Sequence, residues 1–405
     1  MLRTDARQDK VRLARPVFKA ELGQRLRKFR TRSLHFCHIP LQIGVILQRR
    51  RQTCKRKLIH AVRRDHPPVG GRDGLRLDFN ENTLACSPRV IEALQKITAA
   101  ELTRYPERGS VEAKVAASLC VKPERVLLTN GVDEAIHVLC QAFLDRGDAM
   151  LLPVPTYSMY EVYGSAAEGQ IDAVPATDRF RFPVDAMLSA IQPRTRLIAI
   201  ANPNSPTGAT IARDAIVAIA EASPQAVVLV DEAYYHFFGE TVIDLVGSLP
   251  NLVVSRTFSK AYGLAGLRLG ALIAVEDTMQ WLRRVISPYS VNQLALACLP
   301  AALEDRAYLD GYVAEVKAAR AELAQALTEF GLEHWPSEAN FILTRIGAQH
   351  AAFVNAMRAR GILTRDRSAD PGCDGLVRIT VGTREQMRQA RAAIETSLKE
   401  IGWHA

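Results

Sequence analysis

The chain has 405 residues, 48% hydrophobic and 23% charged, enough to bury the core of one large globular unit or two joined ones. That composition excludes overall disorder, a collagen-like rod and a disulfide scaffold, and the longest early apolar run, 39–47, is too short to cross a bilayer. The formal charge of +9 is unevenly placed: residues 1–75 carry 20 Lys and Arg against 5 Asp and Glu, leaving 32 basic against 38 acidic residues for the rest. Seven cysteines are scattered with no C-x-x-C pair, so neither a disulfide framework nor a zinc site is expected, and a cytoplasmic location is.

In chain order, residues 1–75 read as a basic, poorly ordered extension, closed by the linker Pro67-Pro68-Val69-Gly70-Gly71. A basic arm suits nucleic acid or a membrane surface, but its expected reading is a loosely ordered extension with neither partner, and the three amphipathic helices with a tight turn that a DNA-binding module needs are missing. From about residue 76 the texture changes. Continuous Val/Ile/Leu/Ala runs predict seven buried strands at 126–129, 149–154, 171–175, 197–201, 226–230, 252–256 and 269–275. Amphipathic stretches at 132–143 and 213–222 predict helices between them, an alternation that argues an α/β fold with a mostly parallel sheet. Beyond residue 276 the pattern shifts to an Ala/Glu/Leu-rich helical stretch at 307–330. Strands are then predicted at 341–345, 362–367 and 376–381. The expected organisation is an extension (1–75), a segment joining the small domain (76–100), a large domain (101–295) and a small domain (296–405).

Chemistry concentrates at two strand ends. One ends in Asp231-Glu232-Ala233-Tyr234, the next in Arg256-Thr257-Phe258-Ser259-Lys260, followed by Ala265-Gly266-Leu267-Arg268. Ligands of open α/β sheets bind beyond the carboxyl ends of strands, which gathers a carboxylate, a phenol, a lysine, two hydroxyls and an arginine around one crevice. A lysine between a buried strand and a Gly/Ala turn can form a Schiff base with a carbonyl compound. Thr257, Ser259 and Arg268 can grip a phosphate beside it. No H-e-x-x-H pair, G-x-G-x-x-G or Walker loop is present, which disfavours metal catalysis and nucleotide cofactors.

Four motifs in order, P-T-Y-S-M-Y, N-P-N-S-P-T-G, D-E-A-Y and S-K-A-Y-G-L-A-G-L-R, resemble the fold-type I aminotransferases dependent on pyridoxal 5′-phosphate. The resemblance runs from about Leu77 to Ile401. Asn80-Glu81-Asn82, Arg104-Tyr105-Pro106-Glu107, Arg365-Asp366 and Val377-Arg378-Ile379-Thr380-Val381-Gly382-Thr383 resemble the histidinol-phosphate aminotransferase family in particular. The resemblance implies a seven-stranded, mostly parallel sheet in the large domain, a smaller C-terminal α+β domain, and a homodimer with shared active sites.

It also implies roles. Lys260 holds the cofactor as a Schiff base and then shuttles a proton. Asp231 keeps the pyridine nitrogen protonated, since a nearby anion favours the pyridinium. Tyr234 bonds the ring 3-oxygen and Tyr157 stacks on the ring. Val132 and Asp133 open a helix straight after a strand, so free N–H groups can cradle the phosphate, together with Thr257, Ser259 and Arg268. Ser205 stands where the family commonly has asparagine before Pro-Thr-Gly, with Asn204 one step earlier, and either can meet the ring oxygen. A second departure is Thr83, where proline is usual. Asn80 is expected near the substrate amine, and Tyr105 to reach the partner's cofactor phosphate. Arg365 and Arg378 are expected to bind the substrate phosphate, two guanidinium forks suiting a dianion where one suffices for a carboxylate.

The implied reaction is amino transfer between histidinol phosphate and 2-oxoglutarate, giving imidazole acetol phosphate and glutamate. Aromatic-amino-acid aminotransferase and threonine-phosphate decarboxylase are the alternatives on the same scaffold; a transcription regulator with an aminotransferase-like domain is the alternative from another class. None of the expected site residues lies before Gly71, so a chain lacking residues 1–70 is expected to keep its activity and solubility. Steady-state turnover and sedimentation of the truncated protein check this; loss of either makes the extension functional.

Overall fold

The apolar runs become a single sheet because each alternates its side chains between two helix-covered faces. The computed structural model describes residues 71–403, so the expectation for residues 1–70 lies outside the described residues. Among the described residues twelve strands follow in chain order: β1 (Leu75–Arg76), β2 (Val126–Thr129), β3 (Ala149–Val154), β4 (Gln170–Pro175), β5 (Thr195–Ala201), β6 (Val227–Asp231), β7 (Leu252–Thr257), β8 (Gly270–Ile273), β9 (Phe341–Arg345), β10 (Ile362–Leu363), β11 (Arg365–Asp366) and β12 (Leu376–Thr380). Seven of them form one sheet in the order β2-β8-β7-β6-β5-β3-β4. The pairs from β4 through β7 are parallel; β8 runs antiparallel to both β7 and β2.

The two faces bury different residues of the same strands. Ile198, Ile200, Val228, Val230 and Val254 face one apolar cluster. Leu197, Ala199, Leu229, Val253 and Leu272 face another, packed against Ile136 and Leu139 of the helix Gly131–Phe143. Period-two alternation therefore reads as a continuous apolar run when both faces are covered. The helix Arg213–Ala222 matches its predicted span, and Arg306–Glu329 differs from its predicted span by one residue at each end.

The C-terminal part builds a three-stranded antiparallel sheet in the order β11-β12-β9. Here one expectation needs correction. The strand predicted at 362–367 is two short strands in two sheets: β10 pairs in parallel with β1, and β11 pairs with β12. An apolar pattern encodes which residues are buried, not which partner they pair with, and the chain changes partner at Thr364. The β1–β10 pair ties the segment that follows Gly71 to the C-terminal part of the fold. Residues 295 and 296, either side of the expected domain boundary, lie within the helix Gln293–Glu304. Among the described residues no helix is long and apolar enough to cross a membrane.

One contact sets where the helix Gly131–Phe143 begins. Gly270 opens β8 directly against it: a Cβ there would stand 2.7 Å from the Gly131 carbonyl carbon and 2.8 Å from the Val132 nitrogen. Gly131 has φ +78°, and a Cβ on it would meet the Arg268 guanidinium at 2.6 Å. Gly270→Ala must push backbone against backbone, so it is expected to destabilise the fold by about 1–3 kcal/mol, the usual range for overpacking. Thermal melting checks this; an unchanged melting temperature would mean that the helix start is free to shift.

Candidate active site

A cavity of about 280 Å³ opens at the carboxyl ends of β5, β6 and β7. Thirteen of the fifteen expected site residues line it: Asn80, Val132, Asp133, Tyr157, Ser205, Asp231, Tyr234, Thr257, Ser259, Lys260, Arg268, Arg365 and Arg378. They come from seven separate parts of the chain, brought together by the fold.

Asp231 is the last residue of β6 and is 4% exposed. Its carboxylate accepts from the Tyr160 hydroxyl at 2.7 Å and from the Ser255 hydroxyl at 2.8 Å. Burial raises its pKa above the ordinary aspartate value, and these two donors oppose the rise. Ser255 stands opposite Asp231 in the β6–β7 register, and Tyr160 arrives three residues after Tyr157. Neither was expected from sequence. The spacing from Tyr157 offers one signal for Tyr160, because a helical turn brings such residues to one side; Ser255 has none, because register is not visible in sequence.

Lys260 donates from Nζ to the Phe79 carbonyl at 2.9 Å. Asn80 donates from Nδ2 to the Tyr234 hydroxyl at 2.8 Å, while its own backbone N–H donates to Thr380 Oγ1 at 3.0 Å. Asn80 sits at φ 55°, a left-handed conformation that asparagine tolerates better than most residues. Tyr157 donates its hydroxyl to Asp133 Oδ1 at 2.7 Å, and its ring meets Tyr160 edge-on with centroids 5.7 Å apart. Burial and the Asp133 charge hold that phenol well above its ordinary pKa. Arg268 reaches the other Asp133 oxygen at 2.8 Å. The opening of the helix Gly131–Phe143, Thr257, Ser259 and Arg268 thus form one polar wall, with Asp231 and Lys260 completing the cavity.

Two expected residues are not in the cavity wall. Asn204 bonds instead to the Thr156 hydroxyl at 2.8 Å, the Pro155 carbonyl at 2.9 Å and the Thr207 hydroxyl at 2.9 Å. Its amide stitches two loops together, so of the two candidates it is Ser205 that faces the cavity. Tyr105 is 76% exposed and stacks on Tyr289 with centroids 4.4 Å apart.

Arg378, buried on β12, donates to Ser205 Oγ at 3.1 Å and to the Asp78 carbonyl at 2.8 Å. Burial, aided by the neighbouring Arg367 charge, pushes its pKa down to about 10. Arg365 stands directly opposite it in the β11–β12 register. The cavity also exposes Phe79, Ser158 and Arg367, which sequence reasoning missed. Strand alternation from Arg365 was the available signal for Arg367.

The sequence model of the aminotransferase class I and II family matches residues 72–394, and the chain belongs to that family. It is similar to the histidinol-phosphate aminotransferase of Roseiflexus castenholzii, 38% identical over 338 residues, covering 81% of this chain and 89% of that one. It is also similar to the histidinol-phosphate aminotransferase of Thermoanaerobacter pseudethanolicus, 34% identical over 332 residues, covering 80% and 92% respectively. The fold is that of the Sinorhizobium meliloti histidinol-phosphate aminotransferase in complex with pyridoxal 5′-phosphate, with a TM-score of 0.75 at 23% identity over 81% of this chain and 92% of that one. This is the fold-type I architecture expected from the sequence.

The buried Asp231 carboxylate has a measurable stability consequence. Its folded pKa lies above the unfolded value of about 3.9, so its ionised form is disfavoured by folding. Stability is therefore lost as pH rises through the folded pKa and regained below about pH 4. In protein stripped of bound cofactor, Asp231→Asn is expected to melt higher than the unsubstituted chain near pH 8, the gap closing as pH falls toward ~4. A gap that stays constant with pH would assign the difference to packing instead of ionisation.

Proposed function

We propose that this chain is a pyridoxal 5′-phosphate-dependent histidinol-phosphate transaminase, exchanging an amino group between histidinol phosphate and 2-oxoglutarate to give imidazole acetol phosphate and glutamate in histidine biosynthesis. The observation that carries the substrate reading is the Arg365–Arg378 pair. Like charges placed directly opposite on neighbouring strands repel, and an anion between them relieves that repulsion. The names of the relatives agree with it.

The donor set fits the cofactor. A phosphate suits the helix opening at Val132 and Asp133 with Thr257, Ser259 and Arg268, and the absence of a Cβ at Gly131 and Gly270 keeps that wall tight. A protonated ring nitrogen suits the buried Asp231 carboxylate. When bound, pyridoxal phosphate supplies an electron sink for the carbon whose proton is removed.

The side chains do the rest. Asp231, held by Tyr160 and Ser255, keeps a proton on the ring nitrogen, an arrangement that offsets the burial of its charge. Lys260, which lines the cavity, would hold the cofactor and would carry the proton to and from the substrate carbon. Tyr234, which accepts from Asn80 Nδ2, and Ser205 would meet the ring 3-oxygen, Tyr157 would stack on the ring, and Asn80 would also meet the substrate amine. Arg365 and Arg378 seat the substrate phosphate.

The active unit is a homodimer with shared sites, the partner contributing Tyr105. Tyr105 and Tyr289, both exposed and stacked on each other, support an aromatic contact for a second copy. The large domain spans 101–295 and the small domain 296–405, joined by 76–100. The location is cytoplasmic, which suits the free state of the described cysteines.

The test follows cofactor absorbance and product while histidinol phosphate, histidine, phenylalanine and threonine phosphate are added in turn. Histidinol phosphate should be the preferred amino donor. Arg365→Ala should lower its kcat/KM by about 10- to 150-fold, the effect of losing one charge-assisted contact of two, and change phenylalanine by less than about threefold. Equal losses on both substrates would reduce Arg365 to a structural charge, and carbon dioxide release from threonine phosphate would identify a decarboxylase.

A further inference from the structure

The anion-binding end of the cavity contains a cation that the two-arginine picture leaves out. The β11–β12 ladder continues past Asp366, where the Arg367 backbone N–H donates to the Leu376 carbonyl at 2.9 Å. Side chains alternate along an extended chain, so Arg365 and Arg367 share one face and Asp366 takes the other. The contacts agree: Asp366 meets His350 Nδ1 at 2.8 Å, away from the cavity, whereas Arg365, Arg367 and Arg378 all line it. Arg367 is only 7% exposed, as is Arg378. It forms an ion pair with Asp370, three residues on.

Burying guanidinium groups together is unfavourable unless anions compensate them. Arg365, Arg367 and Arg378 face one cavity from neighbouring positions of the β11–β12 ladder, with the Asp370 carboxylate beside Arg367. Arg378 also has a buried Nε without a hydrogen-bond partner, and the adjacent Arg367 charge already lowers its proton affinity. A carboxylate substrate brings a single negative charge. A phosphate monoester brings about 1.5 to 2 at neutral pH and three acceptor oxygens, enough to meet three guanidinium groups around one cavity.

We propose that Arg367, steadied by Asp370, is a third guanidinium of the substrate-phosphate subsite and a specificity-determining residue that favours a dianionic phosphomonoester over a monoanionic carboxylate. The inference rests on the substrate reading given under Proposed function. Arg365 and Arg378 form the opposed pair, and Arg367 adds its charge from the buried end of the same face.

The test uses holoenzyme carrying Arg367→Gln. Two quantities are read: the ratio of kcat/KM for histidinol phosphate to that for phenylalanine, and the inhibition constant of inorganic phosphate against phenylalanine turnover. The ratio is expected to fall by about tenfold or more, through KM and not kcat, and the inhibition constant to rise by a similar factor. Equal losses on both substrates, or an unchanged phosphate inhibition constant, would overturn the proposal and leave Arg367 as half of a structural ion pair. If the glutamine variant does not accumulate as folded holoenzyme, the same inhibition constant is read on Arg367→Lys. That variant keeps the charge but loses the fork, so a rise of about threefold or more supports the proposal and no change overturns it. A wild-type enzyme with no preference for phosphorylated donors would defeat the substrate reading by itself. The inorganic-phosphate measurement would still decide whether Arg367 contacts an anion.

Discussion

The structure depends on keeping one carboxylate, Asp231, buried at the end of a strand surrounded by apolar side chains. Such a group is tolerable only where donors meet it, and two hydroxyls from different elements do so, Tyr160 and Ser255. Supplying Ser255 requires β7 to lie beside β6 in the observed register. Supplying Tyr160 requires the helix Met159–Ala166 to pack at the carboxyl edge of the sheet. The same strand order that shelters the carboxylate carries Thr257, Ser259 and Lys260 to the cavity. Stability and chemistry therefore make opposing demands at this position, and the cavity is where the burial penalty can be offset by a positively charged ligand group.

A second constraint comes from the short segment 78–80. Three consecutive residues each touch a different part of the site: the Asp78 carbonyl accepts from Arg378, the Phe79 carbonyl from Lys260, and the Asn80 amide donates to Tyr234. These partners lie 300, 181 and 154 residues away in sequence. The Phe79 ring also lies beneath two guanidinium groups, 4.1 Å from Arg72 and 5.4 Å from Arg365. Pairing of β1 with β10 holds this segment in place, so a two-residue parallel ladder helps to position residues from both ends of the described chain.

Behind the cavity, Glu232 and Arg256 form a buried ion pair at 2.7 Å, with the guanidinium 3.5 Å above the Tyr235 ring. Glu232 also accepts from Thr241 and the Val242 backbone. Because each follows or precedes a site residue, the pair locks the ends of β6 and β7 to each other. Nearby His236 is pushed by burial down to about 3 and stays neutral, so no further positive charge is added beside Arg256. The Asp231 and Lys260 geometry is thus supported from behind by groups that have no access to the cavity.

The sequence by itself determined the seven sheet strands to within a few residues, two of the helices between them, and the motifs that carry most of the cavity wall. Those are local properties: apolar runs mark burial on both faces, and the polar residues that end such runs emerge at one edge of a parallel sheet. What only the tertiary structure decided was pairing. The split of 362–367 between two sheets, the choice of Ser205 over Asn204, the support of Asp231 by Ser255 and Tyr160, and the presence of Arg367 beside Arg378 all depend on which distant segment lies opposite. A side chain such as Asn204 has the same donors and acceptor wherever it points. Whether they serve a loop or a cavity is set by neighbours that one-dimensional spacing does not contain.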